Sequence, residues 1–289
     1  MVKGMIYAII PTYNRKDMLR NCLNCLKMQD YRKFKAIVID DGSKDGTSEM
    51  LKKEFKKVDV IKGDGNLWWA GAINEGIKKV LKICGNDDYV LLLNDDLIFG
   101  KDYMDKLIES AKRFPNALIG SVVICKDKNI IFDGGMRRNW TAPKWVMNFG
   151  KPLSAFPKRH YENVNTLTGR GVLIPINVFQ KIGLYDTIHF KQGGDIEFPA
   201  RARLHGYNLV VCYNLIVRCN SDATFATNDK KIYKLNQLKD YFFHIKSNYN
   251  IKYRFWYAYK TSRTLFHAIT YFIWDMARTS LNFLRKLRF

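Results

Sequence analysis

Short apolar runs alternate with amphipathic stretches through the first half of the chain, and this rhythm limits the fold more than any other feature. The apolar runs have the length of strands, and the stretches between them have the length of helices. Strand-like runs lie at 5–10, 34–39, 58–61, 89–93 and 117–124, and helix-like stretches at 16–28, from 45 or 47 to about 56, 68–83 and 103–114. Parallel strands that are buried on both faces read as continuous apolar runs of this kind. The pattern predicts an α/β fold with a mostly parallel, Rossmann-like sheet and helices on both faces.

Acidic and polar residues follow four of the strand-like runs, at 11–15, 40–43, 63–69 and 94–96. Asn and Asp are common turn residues, so a solvated exit from each strand is one interpretation. In open sheets, however, ligands bind outside the carboxyl ends of the strands. Burying a carboxylate is also costly unless a cation or hydrogen-bond donors meet it. Four polar strand ends at one edge of the sheet therefore predict a site.

The chain is strongly basic, with 48 lysines and arginines against 27 acidic residues and a net charge of +21. Such a surface attracts polyanions, which include nucleic acid, anionic lipid headgroups and phosphorylated substrates. No RNA- or DNA-binding motif accompanies the charge, so we do not expect nucleic acid to be the partner.

Cysteine usage and hydrophobicity indicate where the protein works. Cys22 and Cys25 have CxxC spacing, but no second pair at zinc spacing follows, so a buried helix face is the preferred interpretation. No secretory signal is visible, which predicts a cytoplasmic protein with reduced cysteines. No apolar run reaches the ~18–20 residues of a membrane span, and the longest candidate, 264–274, is too short.

Seven motifs resemble those of a known enzyme family in their order and spacing. They are "AIIPTYNR", "VIDDGSKDGT", "GNLWWAGAINEGI", "LLLNDD", "TGRGVLIP", "IGLYD" and "GGDIEFPARARLHGY". Together they cover about residues 5–220 and resemble the family-2 glycosyltransferases, which have the GT-A fold. The resemblance implies an inverting transfer of a sugar from a nucleotide sugar to a hydroxyl of an acceptor.

The resemblance also implies which residues bind the donor. Asp95 matches the carboxylate that contacts the ribose or the sugar, and Asn94 takes the first position of the same motif. Thr12, Tyr13 and Asp41 match positions that bind the nucleobase, and a carboxylate there favours a UDP or dTDP donor. Tyr13, Trp68 and Trp69 have an alternative interpretation as core aromatics. The predicted donor-binding residues are Pro11, Thr12, Tyr13, Asn14, Arg15, Asp41, Gly65, Asn66, Trp68, Trp69, Asn74, Asn94 and Asp95.

A divalent cation is the implied cofactor. Breaking the sugar–phosphate bond leaves extra negative charge on the diphosphate, which Mg2+ or Mn2+ can stabilise. Asp96 matches the metal-holding carboxylate of the family. Relatives often carry a histidine after the last core strand, where this chain has Cys219 in "LIVRCN". We therefore expect Asp96, the phosphates and water to hold the cation. Amides at the start of the helix near residue 68 are expected to bind the diphosphate.

The motif "GGDIEF" matches the acidic motif that supplies the catalytic base. Asp195 falls on the base, which takes the proton of the acceptor hydroxyl. Glu197 falls on a second acid, although it can also be an ordinary acid in the first turn of a helix. Gly194 replaces the usual glutamate. The predicted acceptor-side residues are Gly169, Arg170, Gly194 and Glu197.

The composition changes near residue 227, where basic and aromatic residues become dense. We predict a catalytic domain at 1–226, with a nucleotide-binding half at 1–124 and an acceptor half at 125–226. Residues 227–289 are predicted to form a helical extension. Its basic, aromatic helices suit an anionic membrane surface, and a cap that packs on the catalytic domain is the alternative.

The sequence thus predicts a metal-dependent hexosyl- or deoxyhexosyltransferase in surface polysaccharide synthesis, acting on a glycan acceptor that is expected to be lipid-linked. It is expected in the cytoplasm, peripheral at the inner face of the membrane. One alternative is a nucleotidyltransferase on a similar sheet, but "PTYNRKD" lacks the glycine-rich basic loop this would need. Another is a non-enzymatic basic protein, which would not need acids at the strand and helix ends. The sequence does not indicate the oligomeric state.

Overall fold

The computed structural model describes residues 4–125, 129–138, 145–157, 159–191, 193–219, 233–245, 247 and 249–287. The strands are β1 Ile6–Thr12, β2 Phe34–Asp40, β3 Asp59–Lys62, β4 Tyr89–Leu92, β5 Leu97–Phe99, β6 Leu118–Cys125, β7 Ile131–Asp133, β8 Met136–Arg138, β9 Trp145–Met147, β10 Tyr161–Asn163, β11 Val172–Pro175 and β12 Leu209–Cys219. The helices are α1 Lys16–Lys27, α2 Thr47–Glu54, α3 Trp68–Leu81, α4 Tyr103–Arg113, α5 Ile176–Ile182, α6 Gly194–Leu204, α7 Leu238–Phe243, α8 Ile251–Thr261 and α9 Leu265–Arg285.

Within these residues, ten strands form one mixed sheet with the order β10-β12-β6-β11-β4-β1-β2-β3, to which β5 and β7 add at β12 and β6. Strands β3, β2, β1 and β4 are parallel to one another, and β6 is parallel to β12. Strand β11 runs antiparallel between β4 and β6. The predicted α/β fold with a mostly parallel sheet is therefore confirmed.

Helices cover both faces of this sheet because the buried strands alternate their side chains between two apolar layers. In β1, Ile6 faces the layer that contains α1, α2 and α4, whereas Ile9 faces the layer that contains α3, α5 and α6. Cys22 and Cys25 are free thiols buried in the first layer, which agrees with the predicted helix face.

Strand register brings the polar strand ends together. In the parallel pairs, Ile9 lies opposite Leu92 and Thr12 lies opposite Asp40, so β1, β2 and β4 end at one edge. The antiparallel strand β11 starts at this same edge, beside the end of β4. Gly171, just before β11, donates its N–H to the carbonyl of Leu92 at 2.9 Å. The loop before β11 therefore reaches the same edge from the other direction.

Helices α8 and α9 pack on each other, and α8 also packs on α6. Phe190 joins Tyr257 and Tyr271 in a small apolar cluster. Lys260 forms an ion pair with Asp186, and Arg138 donates to Thr261 Oγ1 at 3.1 Å. The described part of the extension thus caps the catalytic region. The predicted border between residues 226 and 227 lies outside the described residues.

In the part of the chain that the structure describes, no helix combines the length and the apolar character needed to cross a membrane.

Candidate active site

A cavity of about 490 Å3 lies at the carboxyl edge of β1, β2 and β4. Its lining consists of Pro11, Thr12, Tyr13, Arg15, Asp41, Gly65, Asn66, Trp68, Trp69, Ala72, Asn94 and Asp95. Every one of these except Ala72 is a residue that the sequence predicts to bind the donor. The fold thus collects residues from four separate motifs into one cavity.

Asp95 ties the end of β4 to the end of β1. Thr12 Oγ1 donates to Asp95 Oδ2 at 2.9 Å, and Arg15 Nη1 donates to Oδ1 at 3.2 Å. Burial raises the pKa of Asp95, while the charge of Arg15 and the hydrogen bond from Thr12 oppose that rise. Both carboxylate oxygens are therefore engaged by the chain itself, and they hold the floor of the cavity in place.

Asp41 organises the loop that leads into α3. Its carboxylate accepts from the N–H groups of Gly65, Leu67 and Trp68 at 2.9, 3.0 and 3.3 Å. These bonds stabilise a strained loop, because Trp68 has a φ of 56° that bulky residues rarely adopt. Asp41 therefore already binds three of the amides that lead into α3, and binding of a diphosphate at the remaining amides of this helix start stays a prediction.

Two predicted donor-binding residues do not line the cavity. Asn14 accepts the N–H of Lys44 at 2.7 Å and donates its own N–H to Ser43 Oγ at 2.9 Å. The Asn74 amide pairs with both backbone groups of Tyr185, at 2.8 and 3.0 Å. Both asparagines thus fix loops that surround the cavity.

Trp69 connects the donor side to the loop before β11. Its Nε1–H donates to Asn94 Oδ1 at 3.0 Å. Its ring lies so close to Gly169 that a Cβ on this glycine would be 2.1 Å from Trp69 Cζ2. The N–H of Gly169 in turn donates to Asp195 Oδ2 at 3.4 Å. One line of contacts therefore runs from Asn94 to Asp195.

Asp195 lies in the first turn of α6, which starts at the buried Gly194. The preceding Gly193 has a φ of 75°, a conformation that favours glycine. Burial raises the pKa of the Asp195 carboxyl, the charge of Arg170 and the N–H of Gly169 oppose the rise, and Asp133 adds to it. A carboxylate with a raised pKa is suited to accept a proton.

Arg170 is a cation whose charge acts on Asp195 and on Cys219, the residue beside Asp96. It lies in the loop that leads into β11, and its charge acts on Cys219 together with that of Asp96. Its guanidinium carbon lies 5.1 Å from the ring centre of Phe132. Among the described residues it makes no hydrogen bond or ion pair, and its Nε is buried. This guanidinium is therefore available to an anionic ligand.

Glu197 has a structural environment. Its side chain is fully buried and accepts from Arg201 Nε at 2.7 Å. Arg201 also donates to the carbonyls of Ile182 and Leu184, so the pair fixes the turn after α5. The structure does not bring Glu197 to the cavity surface, although the sequence assigned it to the acceptor side.

Asp133 and Tyr253 also lie near Asp195, although the sequence analysis did not single them out for the site. Asp133 accepts a hydrogen bond from Thr168 Oγ1, and its charge raises the pKa of Asp195. Tyr253 packs on Gly193, and the charge of Asp195 adds to the effect of burial in raising the pKa of this tyrosine. The acid in "FDGG" was the one available signal for Asp133, whereas the position of Tyr253 depends on tertiary packing.

Asp96 fits a divalent cation. It is only 8% exposed, and its Oδ1 has no hydrogen-bond partner among the residues that the structure describes. A buried carboxylate oxygen without a partner is costly, and a hard cation would satisfy it. No cluster of three or more possible ligand side chains occurs among the described residues. Phosphate oxygens and water would have to complete the coordination.

Cys219 occupies the place beside Asp96 that the sequence analysis indicated. It pairs with Leu97, the residue after Asp96, across β12 and β5. Burial raises the pKa of its thiol to about 11. Mg2+ and Mn2+ prefer oxygen ligands, so this thiol is a poor ligand for either cation.

The chain belongs to glycosyl transferase family 2, and the sequence model of this family matches residues 7–182. One relative, the N-acetylglucosaminyl-diphospho-decaprenol L-rhamnosyltransferase of Mycobacterium tuberculosis, is 23% identical over 220 residues, which cover 69% of this chain and 71% of the relative. The poly-beta-1,6-N-acetyl-D-glucosamine synthase of Staphylococcus aureus is 26% identical over 223 residues, which cover 73% of this chain and 50% of that protein.

The fold is also similar to that of a solved structure, GalNAc-T7 with UDP, GalNAc and Mn2+. The TM-score is 0.61 at 18% identity, and the match covers 75% of this chain and 43% of that one. The protein is therefore a family-2 glycosyltransferase with the GT-A fold, as its motifs predicted.

We expect Gly169→Ala to destabilise the protein by about 1–3 kcal/mol, the usual cost of forcing atoms into a packed site. The new Cβ would collide with the Trp69 ring, so either the ring or the loop must move. Urea unfolding measures the change in the free energy of unfolding. Gly85→Ala is the matched control, because its Cβ would have 3.7 Å to the nearest atom. An unchanged free energy for Gly169→Ala would contradict this packing.

Proposed function

We propose that the protein is an inverting glycosyltransferase that uses Mg2+ or Mn2+ and transfers a hexosyl or deoxyhexosyl group from a UDP- or dTDP-linked donor to a hydroxyl of a lipid-linked glycan. The observation that carries this proposal is the line of contacts from Asn94 through Trp69 and Gly169 to Asp195. This line supports the proposal because it links a cavity of about 490 Å3 to a carboxylate that is suited to accept a proton.

In the proposed reaction, Asp195 takes the proton of the acceptor hydroxyl while the acceptor oxygen bonds to the anomeric carbon. The bond from that carbon to the phosphate oxygen breaks, and its electron pair leaves with the diphosphate. Attack from the face opposite the diphosphate inverts the anomeric centre. A cation at Asp96 would supply Lewis-acid stabilisation of the leaving diphosphate.

Arg170 is assigned to the diphosphate in this proposal rather than to the acceptor. The amides at the start of α3 already bind Asp41, so they offer the diphosphate few donors. The Arg170 guanidinium has no partner among the described residues and acts on Asp195 and, with Asp96, on Cys219. A charge fixed where negative charge develops favours the transition state.

The cavity and two similar proteins bear on the identity of the nucleotide and the sugar. Tyr13 lines the cavity and is 54% exposed, so its ring is free to stack on a nucleobase. The neighbouring fold of GalNAc-T7 was solved with UDP. The matched rhamnosyltransferase supports a deoxyhexosyl group. Uridine or thymidine donors are therefore proposed first.

A lipid-linked acceptor in surface polysaccharide synthesis is supported by the relatives, of which one acts on a diphospho-decaprenol and another makes a polysaccharide.

Helix α9 supports a position at the inner face of the cell membrane. Its outer face exposes Phe266, Ile269, Ile273, Trp274, Leu281 and Leu284, opposite the buried face. Exposed Arg263 and Arg285 stand at its two ends. A helix of this kind lies in the plane of an anionic membrane surface.

We expect Asp96→Asn to abolish turnover of the nucleotide sugar, because the amide keeps the shape of the carboxylate but loses the charge that holds the cation. The assay is release of UDP from UDP-glucose and of dTDP from dTDP-glucose with Mn2+. Nucleotide binding in EDTA should be nearly unchanged, since it does not require the cation. Wild-type turnover that persists in excess EDTA would refute the metal requirement.

We expect Asp195→Asn to lower kcat by about 10²–10⁴-fold with little change in donor binding, because a base assists the chemical step alone. Loss of donor binding at unchanged kcat would place the base elsewhere.

The pH profile should reveal how Arg170 acts on this base. The base works deprotonated, so activity falls as the pH drops through its pKa. Arg170 opposes the rise in the pKa of Asp195, so Arg170→Gln should move the acid limb of kcat/KM to higher pH. If the acid limb of the pH profile stayed at the wild-type position in Arg170→Gln, the effect of the Arg170 charge on the pKa of Asp195 would be contradicted, whatever the loss in rate.

We expect Ile273→Gln with Trp274→Gln to release the protein from vesicles of phosphatidylglycerol, measured by sedimentation at low salt. Both side chains are more than half exposed, so their loss should not unfold the chain. Met28→Gln with Ile83→Gln is the matched control, since these apolar residues are equally exposed on the catalytic region. Wild-type protein that stays in the supernatant would rule out the membrane contact.

A further inference from the structure

A second cavity, of about 580 Å3, lies between the loop before α6 and the C-terminal helices. The catalytic region lines it with Lys191, Gly193 and Ile196, among others. The helices α8 and α9 line the other side. No motif of the sequence pointed to this cavity, because its two walls are far apart in the chain.

The cavity lies beside the proposed base. Gly193 and Ile196 flank Asp195 in the sequence, and both line the cavity. The ring of Tyr253 lies against Gly193, where a Cβ would be 2.9 Å from the ring, and its hydroxyl donates to the Gly193 carbonyl at 3.4 Å. Asp195 contacts Gly169 on the donor side. It therefore stands between the donor cavity and this second cavity.

The lining carries an excess of positive charge. Four cations, Lys191, Lys252, Arg254 and Arg278, face a single carboxylate, Asp275, which is bound by both arginines. Lys191 and Lys252 are exposed and form no ion pair with the described residues. An anion in this cavity would therefore find two lysines that the fold does not use.

Large apolar residues border these cations. Ile188 is 84% exposed, Phe243 58% and Ile245 46%, and all three line the cavity. Apolar side chains next to unpaired lysines suit a ligand that has an anionic group and a hydrocarbon chain. A free sugar or a nucleotide would make no use of this apolar border.

We propose that the second cavity binds the diphosphate and the adjoining hydrocarbon of a polyprenyl-diphosphate-linked acceptor. Lys191 and Lys252 contact the diphosphate, and the apolar border contacts the first part of the chain. The sugar attached to the diphosphate then lies near Asp195, where its hydroxyl can lose a proton. This inference rests on the proposed function and extends it, because it gives the C-terminal helices the task of binding the acceptor.

Farnesyl diphosphate is the probe for this site. Calorimetry with the full chain in EDTA and saturating UDP should detect binding, since UDP then occupies the donor cavity and its diphosphate site. Lys191→Gln with Lys252→Gln should raise the dissociation constant at least about tenfold, because charge-assisted contacts are lost. Lys181→Gln with Lys239→Gln removes the same charge from exposed positions outside the cavity and should leave the constant unchanged.

Two further probes separate the diphosphate from the hydrocarbon. Inorganic pyrophosphate should bind more weakly than farnesyl diphosphate, and it should also weaken in the cavity variant. Equal affinity for the two would show a phosphate site without a lipid site and would overturn the proposal. Equal losses in the cavity variant and the control variant would also overturn it, since the effect would then be one of net charge.

The test is separable from that of the proposed function, whose readout is nucleotide release by the wild type with Mn2+ and its loss in Asp96→Asn. Nucleotide release without farnesyl diphosphate binding would contradict the proposed acceptor cavity and support the proposed glycosyl transfer. Farnesyl diphosphate binding that follows the prediction, in a protein that releases no nucleotide, would support the diphosphate cavity and contradict the proposed glycosyl transfer.

Discussion

The cost of burying carboxylates at one edge of the sheet is the constraint on which the rest of the structure depends. Asp41, Asp95 and Asp96 are each less than a tenth exposed. Asp41 accepts hydrogen bonds from backbone amides, and Asp95 accepts hydrogen bonds from Thr12 and Arg15. In the described part of the chain, one oxygen of Asp96 has no hydrogen-bond partner. Two of the acids thus build the cavity, while the third keeps an unmet charge that a cation and a diphosphate can satisfy together. The same edge gains its other half from β11, whose antiparallel course brings Gly169 and Arg170 to the acids.

The sequence predicted the sheet and the cavity because both follow from local patterns. Continuous apolar runs identify buried strands, and parallel strands end at a common edge, so polar strand ends must meet. It could not predict the partners of Asn74 and Glu197. Asn74 pairs with Tyr185, 111 positions away, and Glu197 pairs with an arginine that also fixes the turn after α5. Both residues match family motifs, but a motif does not distinguish a side chain that binds a ligand from one that supports the loop beside it. The same limit applied to the loop before α3, where Asp41 accepts from three backbone amides.

The C-terminal helices show why the sequence left two interpretations open. Aromatic and basic residues suit both a cap and a membrane surface, and α9 has one face for each. Its buried face, which includes Tyr271 and Asp275, packs inward, and its opposite face exposes Ile273 and Trp274. A cap and a membrane contact therefore do not compete for the same residues. The alternation of the two faces along a single helix is visible only once the packing partner is known.

Arg170 connects the two halves of the proposed reaction through electrostatics. Before transfer, its charge opposes the rise that burial causes in the pKa of Asp195 and so favours the deprotonated base. During transfer Asp195 becomes neutral while the diphosphate gains negative charge. The attraction that Arg170 loses at the base is then replaced by attraction at the leaving group, so the guanidinium need not move. A neutral residue at this position would leave Asp195 more basic but protonated at higher pH, and it would leave the diphosphate dependent on the cation alone. In the proposed reaction a fixed positive charge near the base and the leaving group therefore serves both ends of the displacement, which is consistent with a guanidinium that forms no hydrogen bond or ion pair with the described residues.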